Sequence, residues 1–220
     1  DSSINIPRGM LNSFVVAAAT AILSTYFSAL TAYGLHAYNF KLKRLAFLFI
    51  MAVMVIPKQV SAAGFVQLCY KLKLTNSYLP LILPGIAAPV VFFYMIQYMK
   101  SVLPMEIVEA ARVDSSGEFF TFNRIVLPML KPAISVQLIF TFVESWNNYF
   151  LPLIMLKDSN WYPLTIGLNQ WKDQASTAGG QAIQNLVITG SLITIIPLVI
   201  AFLCLQKYWQ SGLSAGAVKE

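Results

Sequence analysis

The chain has 220 residues, of which 57% are hydrophobic and only 11% charged, with a formal net charge of +6. Soluble domains carry about 25% charged residues, so too few ionised groups are present to cover a soluble surface, and disorder, a soluble enzyme domain or a nucleic-acid-binding domain become improbable. The composition, with a mean hydropathy of +0.66, is that of an all-α, polytopic membrane protein, and the basic excess reads as a topology signal.

Crossing the hydrocarbon core takes about 20 mostly apolar residues, and five stretches reach that length. The first, about 13–35, holds no Asp, Glu, Lys or Arg. The second, about 45–68, contains Pro57-Lys58-Gln59, and the third, about 79–98, contains Pro80, Pro84 and Pro89. The fourth, about 133–156, carries Glu144 near its middle, and the fifth, about 186–205, carries Pro197. Prolines of this kind are tolerated in membrane bundles. Five spans place the two termini on opposite sides. Nine of the fifteen Lys and Arg fall on one side, including the cluster Lys41-Leu42-Lys43-Arg44. That side is expected to be cytoplasmic, with the visible N-terminus outside and the C-terminus inside. The sequence does not open on Met, so a preceding piece is expected. Cys69 and Cys204 fall near opposite faces of the bilayer and suggest neither a disulfide nor a metal site.

The longest cytoplasmic connection is about 100–131. Pro104 suits the start of a helix, where its missing N–H costs nothing. Glu106 and Glu109 fall in the first turn, where the helix dipole favours negative charge. Residues 104–114 read as one short helix, broken by Ser115-Ser116-Gly117. Residues 118–126 read as a second, with Phe119, Phe122 and Val126 on one face and Pro128 ending it. On physics alone this helix–turn–helix is equally well a solvated loop. The longest outer connection, about 157–185, offers Tyr162 and Trp171 as interfacial anchors.

Glu144 is an acid near mid-membrane, which costs about 2.5–3.5 kcal/mol on the insertion scale and calls for the bundle interior or a water-filled path. Asn147 and Asn148 lie one turn further on, and the Trp146 ring suits the face of a sugar. Together these four residues read either as a lining for a neutral polyhydroxylated substrate or as a polar clamp between helices. Lys58 reads as snorkelling to the interface, with a gating role as the alternative. His36 stands alone and suggests neither metal nor catalysis. Gly212 and Gly216 match Gly-x-x-x-Gly, but they follow Lys207 in a polar tail, about 206–220, so a membrane dimerisation face is not expected.

Glu109-Ala110-Ala111-Arg112-Val113-Asp114, followed by Ile125-Val126-Leu127-Pro128, resembles the EAA loop of permease subunits of ABC importers. That signature has Gly where Ser115 stands, with Gly117 two residues on, and Ser tolerates a positive φ less readily than Gly. Asn12-Ser13 is similar to the family's entry to this span. Leu72-Lys73-Leu74-Thr75-Asn76-Ser77 is similar to its Leu-Gly-Leu-x-Asn-Thr turn, and Ser145-Trp146-Asn147-Asn148-Tyr149 to the Trp-Asn-Glu segment of its carbohydrate branch. The ending from Gln206 to Lys219 resembles the tail of maltose-type second permeases.

The resemblance implies a single permease domain, with a six-span fold whose first span precedes Asp1. It implies a coupling helix that docks on a cytoplasmic ATPase. Glu109 would meet a basic partner there, Ala110 and Ala111 would allow close approach, and Asp114 would help fix the turn. Glu106, Ser115 and Gly117 complete the coupling segment, and Gly212, Gly216 and Lys219 become tail contacts with the ATPase. Implied partners are a second permease, two ATPases that bind ATP and Mg, an extracytoplasmic solute-binding protein, a carbohydrate and the lipid of a bacterial or archaeal inner membrane. The chain itself has no Gly-x-x-x-x-Gly-Lys-Ser/Thr phosphate loop and no nucleophile–base pair or metal-ligand set, so it is expected to be neither an enzyme nor a cofactor binder. The alternatives are a self-contained secondary carrier or channel, with Glu144 as its ion site, and an ABC permease for a non-sugar solute.

Overall fold

The computed structural model describes residues 5–176 and 181–217, and all regular structure among them is helical. Helix α1 (Ile6–Ala37) is capped by Asn5, whose side chain accepts the Arg8 N–H, with Pro7 in its first turn. At 1.5 Å per residue α1 is about 48 Å long, enough to pass right through a bilayer core. Ala17, Ala21, Ser24, Ser28, Ala29 and Ala32 are buried along it. Small side chains let backbones approach closely, and α1 is the post on which several of the later helices pack.

The second expected span is two helices, α2 (Lys43–Met54) and α3 (Lys58–Lys71), bent by 97° at their junction. Pro57 has no N–H to offer the Val53 carbonyl, which takes the Ile56 N–H instead at 3.2 Å, so the ladder stops there. The third is α4 (Leu79–Ile86) plus α5 (Pro89–Val102), together a 24-residue apolar span. Ala88 is held extended at their junction, as the residue before a proline should be. Gly85 is where α4 meets α1, since a Cβ there would overlap the Thr20 methyl.

Next come α6 (Met105–Val113), α7 (Glu118–Thr121), a single π-helical turn at Phe122–Val126 and α8 (Leu127–Met129). The second loop helix, expected to end at Pro128, runs on to Met129. The Leu127 N–H reaches the Phe122 carbonyl, one residue further back than in an α-helix. That widened turn precedes a proline that would otherwise press on the preceding turn.

The fourth expected span, 133–156, is also broken. Helix α9 (Lys131–Trp146) leaves the Glu118–Met129 segment at 83°, ends before Asn147, and is followed by α10 (Phe150–Met155). Pro152 cannot donate to the Asn148 carbonyl, which accepts the Thr165 hydroxyl at 3.1 Å. The Asn148 side chain caps the Leu151 N–H. The expected outer loop contains a 12-residue helix, α11 (Leu164–Ala175). Helix α12 (Gln181–Ala217) runs well past the expected span and takes in most of the expected tail. The described residues thus hold three spans by length and apolarity, or up to five if each bent pair counts as one.

Buried side chains fall into three groups strung along α1. One gathers Ala29, Ala32 and Tyr33 with Met95, Met99, Val108, Phe122 and Val126. A middle group joins Ala17 and Ala21 to Phe142 and Trp146. At the other end Val16 meets Cys69, Leu81, Met155 and Ile166. Cys69 is buried and Cys204 exposed, and both are free.

Candidate functional site

The EAA-like segment has two faces. Val108, Ala111, Phe122 and Val126 are buried, with Phe122 set against the rings of Tyr26 and Tyr33 of α1. Glu106, Glu109, Ala110, Asp114, Ser115 and Gly117 are exposed. The two alanines expected to act alike therefore part: Ala110 faces out, while Ala111 is used inside this chain. Phe119, expected to share a face with Phe122 and Val126, is 67% exposed beside exposed Phe120 and Val113. Only Phe122 reaches the α1 rings.

The turn between α6 and α7 closes on backbone bonds. Ser115 has φ +58°, its N–H reaches the Arg112 carbonyl at 3.0 Å, and the Ser116 N–H reaches Ala111 at 2.9 Å. This is the helix stop normally made with Gly in the left-handed position, and Ser115 adopts it. Asp114 contributes its backbone N–H, to Ala110 at 3.0 Å, while Ser116 and Thr121 join hydroxyls at 2.9 Å. Lys73 repeats the pattern at the end of α3: φ is +55°, and the Leu74 N–H reaches the Cys69 carbonyl at 2.9 Å.

A polar network ties the segment to α1. The Arg112 Nε–H donates to Glu118 Oε1 and the Tyr33 hydroxyl donates to Oε2, both at 2.7 Å. The Arg112 guanidinium lies 5.1 Å over the Tyr38 ring, and the Tyr26 hydroxyl donates to Asn123 Oδ1 at 3.1 Å. The hydrogen bond from Arg112 holds the Glu118 carboxyl below the usual range, against the opposing pull of partial burial. His36, in the last turn of α1, pairs with the Leu103 carbonyl at 3.1 Å. None of these roles is read from the sequence, although an Arg and a Glu flanking a short turn are a visible signal.

The opposite end of α1 is tied as firmly. The Asn12 amide donates to the carbonyls of Asn160 and Tyr162 at 2.9 and 3.0 Å, and its oxygen accepts the Tyr78 hydroxyl at 2.6 Å. Ser13 Oγ accepts the Leu164 N–H at 2.9 Å. The sequence marks Asn12-Ser13 as an entry point, and in the structure the pair satisfies the backbone of the segment leading into α11.

The second expected constellation is only partly assembled. Glu144 and Asn147 are exposed, and Asn147 Nδ2 bonds back to the Val143 carbonyl. Asn148 is occupied with α10 and α11. Trp146 is 2% exposed and stacks on Phe142, so it offers no platform to a substrate. Glu144 instead pairs with Lys58, the residue expected to snorkel. Tyr162 and Trp171 are half-buried, and Tyr78 packs edge-on to Trp161 at 4.8 Å. Gly212 and Gly216 fall on the helical continuation of α12, and Lys219 lies outside the described residues.

Residues 24–214 match the family described as the inner membrane component of binding-protein-dependent transport systems. The chain belongs to this family of ABC importer permeases. The permease is 37% identical over 212 residues to the arabinooligosaccharides transport system permease protein AraQ of Bacillus subtilis, covering 96% of this chain and 73% of that one. It is 31% identical over 218 residues to the melibiose/raffinose/stachyose import permease protein MelC of the same organism, covering 98% and 77%. Its fold matches a chain of a bacterial ABC transporter that imports the acidic polysaccharide alginate, with a TM-score of 0.71 at 22% identity over 90% of this permease and 75% of that chain. As a permease it is a multi-pass inner-membrane component and not an enzyme. ATP hydrolysis resides in a separate subunit, and the self-contained carrier or channel is set aside.

Proposed function

We propose that this permease forms half of the translocation pathway of an oligosaccharide importer and is driven through its EAA-like segment. The observation that carries the proposal is the division of that segment. Its inner face is welded to α1 by Phe122, Val126 and the Arg112–Glu118–Tyr33 network, while Glu106, Glu109, Ala110 and Asp114 are left outward with Val113, Phe119 and Phe120. A segment so built passes a push on to the bundle instead of yielding to it. In this reading Glu109 meets a basic residue of a cytoplasmic ATPase, the exposed aromatic side chains enter its groove, and the basic cluster at Lys41, Lys43 and Arg44 marks the same, cytoplasmic side.

In this reading the remaining assembly is a second permease, two ATPases holding ATP and Mg, and a solute-binding protein delivering substrate on the outer side. The sugars for which AraQ and MelC are named support a short oligosaccharide. Glu144 and Asn147 supply exposed polar groups within a mostly apolar span, the kind of lining that a neutral sugar needs. Glu109→Lys should abolish most ATP-dependent uptake by the reconstituted complex while the permease pair still assembles. Full uptake by that variant would remove the coupling assignment. Competition of uptake by arabino- and galacto-oligosaccharides tests the substrate class separately.

A further inference from the structure

Lys58 and Glu144 are 86 positions apart and belong to different broken spans, yet their charged groups meet. Two independent lengths put them at one depth. Helix α2 rises about 18 Å from its basic start before the break at Pro57, and Glu144 lies about 20 Å along α9 from Lys131. With Lys43 and Lys131 placed at the membrane face, those lengths put both charges within a hydrocarbon core about 30 Å thick. Met54, Val55, Ile56 and Val60, near Lys58 in the chain, and Phe140, one helical turn before Glu144, are all exposed apolar side chains. Side chains of the pair are themselves 84% and 65% exposed on this chain, so both are open to whatever fills the space beside them.

We propose that Lys58 and Glu144 form a latch that closes α3 against α9 across the 97° break and parts when the pathway fills with water or sugar. In apolar surroundings the two charges hold each other, because separation strands both without a partner. Once water or substrate hydroxyls reach them, each finds other hydrogen bonds and the pair can open. The bend at Met54–Lys58 gives α3 a place to pivot, since no helical hydrogen bond crosses Pro57. The latch rests on the importer reading above, which ATP-dependent uptake by the wild-type complex tests independently of any variant here.

The experiment uses the whole importer in proteoliposomes. It compares Lys58→Met, Glu144→Gln and the exchange Lys58→Glu with Glu144→Lys, measuring uptake and the hydrolysis of ATP without substrate or binding protein. Loss of either charge should raise that idle hydrolysis several-fold and lower uptake by about ten-fold, and the exchange should return both most of the way to wild type. A purely structural pair would lower assembly without raising idle hydrolysis per assembled complex, and that result overturns the latch. Single variants that match wild type in both readouts overturn it too, as does an exchange no better than the single changes. If the single variants do not assemble, the exchange decides alone: assembly with low idle hydrolysis supports the latch, and failure to assemble overturns it.

Discussion

Two ion pairs are formed among the described residues, and they are built in opposite ways. Arg112 and Glu118 are six residues apart and about one-third exposed, and each is held by further partners: Tyr33 on the carboxylate, the Tyr38 ring under the guanidinium. Lys58 and Glu144 come from distant spans, are mostly exposed, and have a break between helices beside Lys58. A networked pair on a short turn fixes geometry, because moving it forfeits several bonds at once. A lone pair across a hinge has one bond to lose, and its strength depends on what surrounds it. The first arrangement suits a part that must transmit force rigidly, and the second suits a part that must open.

The largest difference should appear in stability. Glu118→Ala leaves the Tyr33 hydroxyl without its acceptor and Arg112 without its charge partner, a loss of about 1–3 kcal/mol for groups of this kind. Tyr33→Phe, which removes one of those bonds and strands less, should cost about 1 kcal/mol. Glu144→Ala should leave the thermal midpoint of the purified complex close to wild type and act on uptake instead. Equal losses of midpoint for Glu118→Ala and Glu144→Ala would erase the distinction between a fixed and an opening pair.

The sequence shows one of these regions far better than the other. Glu109 to Asp114, the stop at Ser115 to Gly117 and the Ile-Val-Leu-Pro that follows all lie within a short stretch, where local spacing sets local structure. The apolar lengths likewise locate the spans. The breaks are less visible. A proline in a membrane span is tolerated when something else takes the carbonyl it frees, so Pro57, Pro84 and Pro152 look alike in the sequence, yet Pro84 and Pro152 sit inside α4 and α10 while Pro57 falls between α2 and α3. Whether Asn148 lines a path or answers to Thr165 depends on a residue in the next element. Trp146 is misplaced for a related reason: a ring suited to a sugar suits Phe142 as well, and helical phase decides between them. Lys58 and Glu144 carry one usable signal, being opposite charges in apolar spans, and in such surroundings each needs the other.

A smaller effect, of opposite sign, is expected where the fixed region stops a helix. Ser115 holds a left-handed backbone at φ +58° in the position where Gly meets no Cβ penalty. The same holds for Lys73 at φ +55°. Ser115→Gly should therefore stabilise the turn by up to about 1 kcal/mol, offset in part by the greater freedom of Gly in the unfolded chain. Hydrogen exchange across α6 and α7 would read it directly. Faster exchange in the Gly variant would mean that the serine hydroxyl contributes more to the stop than the backbone costs it.

The smallest effect at neutral pH, and the one most particular to the fixed pair, is its response to acid. Arg112 holds the Glu118 carboxyl below its ordinary value of 4.5. A carboxylate whose folded value is depressed contributes stability that is fully present above the unfolded value. That contribution is lost as pH falls through the folded one. From pH 8 to about pH 5 the Arg112–Glu118 contribution should therefore be flat, declining only below about 4.5. Glu118→Gln cannot ionise, so it should remove that decline while keeping much of the side chain's shape. Thermal midpoints of the wild-type and Glu118→Gln complexes, measured from about pH 7 down to about pH 4, should be separated by a constant gap that narrows only at the acid end. A gap already narrowing between about pH 7 and pH 6 would place the titrating group elsewhere, and the carboxylate would no longer be what anchors this turn to α1.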